Sequence, residues 1–172
     1  MERVMETVRA VADAMPPEDV ETAFALTAAD FAAPDPLASP AAVAAERFAR
    51  AALLIARAEA APRRVFADRP SAVALRSSLS TSFDAELEAA SADRDDAGYA
   101  ALSAARAALV EWFSMTIIDL RPVVFARLPR HLPAHVVAWR LYGSLDRLDD
   151  LAGRNRVRHP GYMPETVEAV AP

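Results

Sequence analysis

The sequence contains no cysteine, which excludes disulfide bonds and thiolate metal sites. It contains no lysine either, so all 19 basic residues are arginine, a bias that we attribute to a GC-rich genome. Its four glycines are too few and too scattered for a glycine-rich phosphate loop. No run of about 18 apolar residues occurs, and the N-terminus does not resemble a signal peptide. We therefore expect no membrane span. We expect the chain to be made and kept in a cytoplasm, or inside a particle assembled there.

The residues that are present favour helices. Hydrophobic residues make up 53% of the 172 positions, which excludes an acidic disordered tail and suits one domain with a sizeable core. Much of that share is alanine, the strongest helix former, and the 13 prolines lie mainly between stretches of helical periodicity. No segment shows sustained strand alternation. The sequence predicts an all-α fold, an antiparallel bundle of about five to six helices with an irregular C-terminal tail.

Three regions are predicted from helix start and stop signals. Residues 1–38 form an N-terminal helical segment with a linker at Ala33-Pro34-Asp35-Pro36, residues 39–153 form the helical bundle, and residues 154–172 form an irregular arginine-rich tail. Ser39 followed by Pro40 is typical of a helix start. The last helix of the bundle is expected over about 133–152, with Gly153 as its stop.

The apolar stripes of the last two predicted helices identify candidate core residues. Gly143 would lie inside the final helix, where it costs stability relative to alanine, so we expect it to allow close approach of another helix. The residues predicted to pack in the core are Leu109, Phe113, Ile117, Trp139, Leu141, Tyr142 and Gly143.

No constellation of residues indicates catalysis. His131 and His135 have a spacing that holds a metal on a helix, but Pro133 lies between them, so we interpret them as surface or capping residues. The acids at 93, 95 and 96 lack the closing glutamate of a calcium loop. We expect no enzyme, no metal and no cofactor, and an enzyme of unknown type is the third-ranked hypothesis.

The most unusual segment is Arg154-Asn155-Arg156-Val157-Arg158-His159-Pro160, which places three arginines within five residues. Such a segment neutralises phosphates or forks onto carboxylates of a neighbouring protein, and the scarcity of aromatic residues disfavours a base-stacking platform. We rank protein contact above nucleic acid. The predicted partner-binding residues are Arg147, Arg154, Asn155, Arg156, Arg158, His159 and Tyr162.

The same region resembles a known family. Residues Ala138-Trp139-Arg140-Leu141-Tyr142-Gly143, then 147–151 and then 154–164, are similar in order and spacing to the C-terminal signature of the Mu-type phage DNA circularisation proteins. A softer similarity extends over about 39–170. Members of that family are usually longer, with a separate N-terminal domain. Many carry Gly-Gly after the proline that corresponds to Pro164, whereas Glu165-Thr166 follows here.

The resemblance implies a structural protein of a phage or prophage-derived tail or baseplate. It implies location in the virion after assembly in the bacterial host cytoplasm. The implied partners are hub, tube or tape-measure proteins and further copies of the chain. The alternative is a DNA-binding module that holds phage DNA ends in circular form, and the net charge of −5 argues mildly against broad phosphate binding.

Overall fold

The computed structural model of the chain describes residues 2–31 and 39–172, and most of these residues are helical. Contacts divide the chain into two units. We call Met1–Phe66 with Val73–Thr116 the helical unit, and Ala67–Ala72 with Ile117–Pro172 the mixed unit. This division differs from the predicted one, because residues 154–170 pack onto the segment before them and form no separate tail. The predicted linker at 33–36 lies outside the described residues.

The helical unit takes its name from its long helices. These are α1 (Glu2–Ala14), α2 (Pro17–Asp30), α3 (Pro40–Ala60) with a 3₁₀ turn at Ala61–Arg63, α4 (Arg69–Ala92) and α5 (Asp96–Asp119). The first turn of α4 and the last turn of α5 belong to the mixed unit.

Local chemistry explains where these helices begin. The Ser39 hydroxyl accepts the Ala42 N–H at 3.2 Å, and Pro40 occupies the first helical position, as predicted. The Asp95 carboxylate accepts the Gly98 N–H at 2.9 Å at the start of α5. Each cap supplies an acceptor for an N–H that has no partner inside its helix.

Apolar side chains hold the helical unit together. Phe24 and Leu53 belong to a buried cluster formed by α1, α2 and α3. Phe113 is fully buried and meets the Phe66 ring edge-on at 6.0 Å, an arrangement favoured by the ring quadrupoles. Leu109 is also buried, so the core prediction is confirmed for Leu109 and Phe113.

The mixed unit combines short helices with a two-stranded sheet. Its elements are β1 (Val123–Arg127), α6 (Ala134–Tyr142), α7 (Leu148–Arg154) and β2 (Thr166–Val170). The strands are antiparallel, with Val123 opposite Val170 and Arg127 opposite Thr166. The buried members of its core are Leu132, Ala134, Val137, Ala138, Leu151, Met163, Val167 and Ala169.

The helical character of the described residues confirms the predicted all-α class, but the C-terminal segment is not wholly irregular. Residues 166–170 form β2, and residues 123–127 form β1. Each strand has five residues, which is too short for alternation to stand out, and its partner lies far away in sequence. The pairing therefore leaves no local pattern that reveals it.

The predicted final helix is divided at Gly143. This residue has φ of 69° and donates its N–H to the Trp139 carbonyl at 2.9 Å, so it ends α6 as a left-handed cap. A Cβ at Gly143 would meet no atom of residues 2–31 or 39–172 within 4 Å, so the predicted close approach of a helix is wrong. Gly153, predicted as the stop, lies inside α7.

Burial also corrects part of the predicted core. Trp139 is 63% exposed, so its assignment to the core is wrong. Helix α6 buries the face of Ala134, Val137 and Ala138, which leaves Trp139 on the opposite side. The other predicted core residues are half-buried; these are Ile117, Leu141 and Tyr142.

Helix α5 is the one helix among the described residues that has the length and composition to cross a membrane. Its best 18-residue window has a mean hydropathy of 1.3, and 17% of that window is buried in the structure. It carries Arg106 in its middle, paired with Asp84 of α4 at 2.8 Å. Because the test uses length and composition alone, the absence of a membrane span stays a prediction.

Candidate functional site

The arginine-rich segment leaves α7 through a tight turn in the mixed unit. Arg156 adopts a left-handed backbone with φ of 51°, and its N–H donates to the Gly153 carbonyl at 3.0 Å. The Val157 N–H donates to the Ala152 carbonyl at 3.1 Å. These two bonds satisfy carbonyls at the end of α7 and fix the direction in which the following residues leave the helix.

Arg154 points inward from this turn. Its guanidinium lies 2.7 Å from Asp68, 3.2 Å from Asp150 and 3.4 Å from Glu168. Its side chain is 15% exposed and that of Asp68 is 6% exposed. Arg154 therefore ties residues 67–72, α7 and β2 together, and its predicted role in partner binding is corrected to a role in the fold.

The surroundings of Asp68 keep its carboxylate charged. Burial by itself would raise the pKa of Asp68, but hydrogen bonds from the Ser71 N–H at 2.8 Å and from Arg154 outweigh it and hold the pKa below its ordinary value. Burial would likewise lower the pKa of Arg154, and its bonds to Asp68 and Asp150 raise it instead. Both partners are therefore ionised at neutral pH, as a structural ion pair requires.

Asn155 also points into the fold. Its amide nitrogen donates to the carbonyls of Glu168 and Leu151, each at 2.8 Å, and its amide oxygen accepts the Glu168 N–H at 2.8 Å. The side chain thus occupies both backbone groups of Glu168, as a neighbouring strand would. Its predicted role in partner binding is corrected accordingly.

The residues that follow the turn line an open groove of about 540 Å³. We call it the Tyr162 groove, and its lining residues are His131, Asn155, Val157, Arg158, His159, Tyr162 and Pro164. The rings of His159 and Tyr162 have centroids 5.8 Å apart, and Tyr162 is 72% exposed. The groove therefore combines an exposed aromatic ring with basic side chains.

Four of the seven predicted partner-binding residues line this groove, namely Arg158, His159 and Tyr162 together with Asn155, whose amide is bonded to the backbone. Arg156 is exposed in the turn beside it. Arg147 lies elsewhere, half-buried, with its guanidinium 5.4 Å from the centre of the Tyr142 ring. The sequence could not distinguish the outward Arg156 and Arg158 from the inward Arg154, because all three belong to the same short run.

His131 is a groove residue that sequence reasoning assigned to a surface or cap. Its Nδ1 lies 2.9 Å from the Met163 carbonyl, and because a carbonyl only accepts, Nδ1 carries a proton and donates it. His131 lies next to the residues of the arginine-rich segment only in the fold. No signal short of the tertiary structure connects the two.

The side chains of the groove suit recognition of a partner. Arginine forks onto carboxylates or phosphates, and tyrosine offers both an apolar ring and a hydroxyl. Among residues 2–31 and 39–172, no three histidine, aspartate or glutamate side chains are placed to hold a metal. The lining contains two histidines, a residue type that often serves as a base, but no carboxylate or serine accompanies them there.

The helical unit has a separate cavity of about 460 Å³ lined by α3, α4 and α5 and the turn between α4 and α5. Its wall is formed mainly by Phe48, Ile55, Leu102 and alanines, and an ion pair between Arg47 and Asp93 lies at its edge. The charged groups at this cavity are already paired or capping. It therefore offers apolar volume without a convergent set of polar groups.

Comparison with protein-family models and with curated proteins finds no match for this chain. Its function is therefore inferred from the residues of the Tyr162 groove.

Proposed function

We propose that this chain is a structural subunit of a phage or prophage-derived tail or baseplate that acts through protein–protein contacts. The observation that carries the proposal is the exposure of Tyr162 beside Arg158 and His159 in one groove. Tyrosine and arginine are enriched among the residues that dominate binding energy at protein interfaces. The same three residues belong to the segment that resembles the Mu-type DNA circularisation proteins.

The groove favours a partner that presents a carboxylate next to an apolar side chain. Arg158 is exposed and forms no ion pair within the described residues, so its guanidinium is available to fork onto a carboxylate. The Tyr162 ring offers apolar area at a low entropic cost, since it has only two rotatable bonds. Hub, tube or tape-measure proteins and further copies of the chain are the proposed partners.

DNA binding is the second candidate, and the exposure of Arg156 and Arg158 favours it. Arg154 contributes nothing to that candidate, because its guanidinium is held by Asp68, Asp150 and Glu168. Each arginine that does not reach a phosphate lowers the salt dependence of binding by about one unit of logarithmic slope. The inward position of Arg154 therefore leaves a smaller phosphate-binding footprint than the sequence predicted.

The test is capture of purified tail and hub proteins by the full chain. We expect the double variant Arg158→Ala with Tyr162→Ala to weaken capture by at least about tenfold, because truncating interface tyrosines and arginines costs more than about 1 kcal/mol each. Tyr99→Ala is the matched control, since Tyr99 is an exposed tyrosine of α5 in the helical unit. Light scattering should show self-association or a complex.

Two outcomes contradict the proposal. One is a lone monomer that captures none of the tail proteins. The other is binding of duplex DNA at about 50 mM salt that weakens steeply with salt and with Arg156→Ala and Arg158→Ala while Tyr162→Ala leaves it unchanged, which is the behaviour of a phosphate-binding patch. The second outcome would establish the DNA candidate instead.

A further inference from the structure

The sheet of the mixed unit leaves one edge of β1 open. The Leu128 N–H donates to Glu165 at 2.6 Å and the Ala171 N–H donates to Pro122 at 2.8 Å, so even-numbered residues of β1 exchange hydrogen bonds with β2. Odd-numbered residues of an antiparallel strand then direct their N–H and C=O groups to the other side. The outward groups of β1 are therefore those of Val123, Phe125 and Arg127.

The opposite edge of the same sheet provides an internal comparison. Glu168, the residue opposite Phe125, also directs its backbone groups outward, and the Asn155 side chain occupies both of them. Within the described residues, no hydrogen bond reaches the corresponding groups of Phe125. One edge of the sheet is closed by a side chain, and the other remains available.

The open edge has defined ends. The Arg121 carbonyl accepts the Arg69 N–H at 2.9 Å, which closes the edge on one side. Pro129, on the other side, has no N–H to offer. Between them, three N–H and three C=O groups face outward, enough for one short strand to pair.

The side chains of this edge are those of a strand interior. Phe125 is 72% exposed and Val124 is 38% exposed. Exposed edges are usually blunted by proline, a bulge or an inward-pointing charge, because open edges recruit other chains. Here the segment Val123–Arg127 has no proline and one charge, at its end. An open edge of this kind is the site at which strand addition occurs.

The positive charge around β1 determines which kind of strand can pair with its open edge. Between Asp119 and Asp146 the chain has four arginines and two histidines and no acidic residue. If the β1 strands of two copies paired antiparallel with Phe125 opposite Phe125, Arg127 of one copy would lie diagonally across from Arg121 of the other. These like charges would repel each other. An acidic strand meets no such repulsion and pairs its carboxylates with Arg127 and Arg121.

We propose that the open edge of β1 binds an extended acidic segment of a partner protein as a third strand. Its backbone pairs with Val123, Phe125 and Arg127, an apolar residue lies against Phe125, and a carboxylate faces Arg127. This surface goes beyond the Tyr162 groove, because strand addition draws on backbone hydrogen bonds and does not depend on the tail assignment.

The probe is the synthetic peptide Glu-Thr-Val-Thr-Val-Thr-Glu, in which the valines lie opposite Val123 and Phe125 and the glutamates lie opposite Arg121 and Arg127 on the same face. It is compared with the same peptide carrying lysine in place of glutamate, and each peptide is added to the full chain. The readout is amide exchange and chemical shift by NMR. We expect the amides of Phe125 and Arg127 to exchange freely without peptide and to become protected with the glutamate peptide. The amides of Val124 and Ala126, already bonded to β2, should be protected throughout.

Two variants sharpen the test. Phe125→Pro removes an outward N–H without removing a bond to β2, and we expect at least about tenfold weaker peptide binding. Arg127→Glu should reverse the preference toward the lysine peptide. Tyr162→Ala should leave both affinities unchanged. If Phe125→Pro does not fold, the amide protection of the wild-type chain and the peptide preference of Arg127→Glu still test the proposal.

Three results would overturn the proposal. One is protection of the Phe125 amide in the wild-type chain without peptide, which would mean that the edge is already paired. Another is equal binding, or no binding, of the two peptides. The last is a concentration-dependent dimer that Phe125→Pro disrupts, which would assign the edge to a second copy.

Discussion

The two units of this chain satisfy their polar groups in different ways. In the helical unit the backbone bonds within helices, and most side-chain hydrogen bonds between elements join charged side chains, as in the two-bond contact of Arg57 with Glu21. Arg50 and Arg63 are exceptions that donate to backbone carbonyls. In the mixed unit, apart from the ion pairs of Arg154, most side-chain hydrogen bonds go to the backbone. Asn155 holds Glu168, His131 holds Met163, and the Arg69 guanidinium donates to Leu120 at 3.2 Å. Backbone outside helices and paired strands needs such hydrogen-bond partners. Polar side chains of a sequence motif in this unit are therefore used to satisfy the backbone before they are available for binding.

Charge separates the units as well. The helical unit has 10 arginines against 17 acidic residues, a balance of −7, and no histidine. The mixed unit has 9 arginines against 7 acidic residues, a balance of +2, and all three histidines. An acidic partner is therefore attracted to the mixed unit and repelled by the helical unit, an effect that salt screens.

The largest expected effect tests whether apolar burial stabilises the helical unit. Phe113→Ala should lower the free energy of unfolding by about 3–5 kcal/mol, because it leaves a cavity beside the Phe66 and Trp112 rings. Trp139→Ala, at an exposed site of the mixed unit, should change it by less than about 0.5 kcal/mol. Urea denaturation measures both. Equal losses would show that Trp139 packs in a core after all.

The second prediction concerns the ion pair of the mixed unit. Asp68→Asn should cost about 3 kcal/mol at pH 7, because it leaves the Arg154 guanidinium mostly buried without its main counter-ion. Asp84→Asn is the control, since the pair of Asp84 with Arg106 is more exposed and should contribute less than about 1 kcal/mol. Similar costs for both would remove the distinction between the two kinds of pair.

The pKa of Asp68 adds a pH dependence to this prediction. Because the folded pKa lies below the ordinary value of about 3.9, the contribution of Asp68 is complete above that value and is lost as the pH falls through the folded pKa. The stability difference between wild type and Asp68→Asn should therefore shrink below about pH 4. A difference that grows on acidification would contradict a depressed pKa.

The third prediction tests side-chain closure of the sheet edge. Asn155→Ala should cost about 1–3 kcal/mol, because it leaves the Glu168 N–H and C=O without partners at a half-buried site. Arg156→Ala, one residue later and exposed, should be close to neutral. Thermal denaturation of both variants makes the comparison. A neutral Asn155→Ala would mean that water replaces the amide at no cost.

The smallest expected effects come from two glycines of the mixed unit and have opposite signs. Gly143→Ala should destabilise by about 1 kcal/mol, because Gly143 has φ of 69° although space for a methyl group is free. Gly153→Ala, inside α7 with equal space, should stabilise by about 0.5–1 kcal/mol. Melting temperatures provide the signs. Stabilisation by both variants would instead support the predicted continuous helix through Gly143.

The helices of the helical unit were predictable because their signals are local. Ser39 and Pro40 mark a start, and the stripe that contains Leu109 and Phe113 marks a buried face. The prediction that Gly143 lies inside a helix was wrong. Glycine occurs both in helix interiors and at left-handed caps, and only the conformation of the backbone distinguishes the two.

The candidate site was predictable only in part. Composition identified the arginine-rich segment, but Arg154 and Asn155 bond to Asp68 and Glu168, which are distant in sequence. No periodicity predicts which arginine of a short run turns inward, because that depends on tertiary partners. His131 reaches the Tyr162 groove for the same reason.

The pairing of β1 with β2 sets an order of events during synthesis. The two strands are separated by about forty residues, so closing that loop costs about 3 kcal/mol of chain entropy before any pairing repays it. Asp68 leaves the ribosome well before Arg154, and Val167 of the mixed core emerges later still. The mixed unit therefore matures after the helical unit, and a ribosome stalled between Asp68 and Arg154 would hold Asp68 without its arginine.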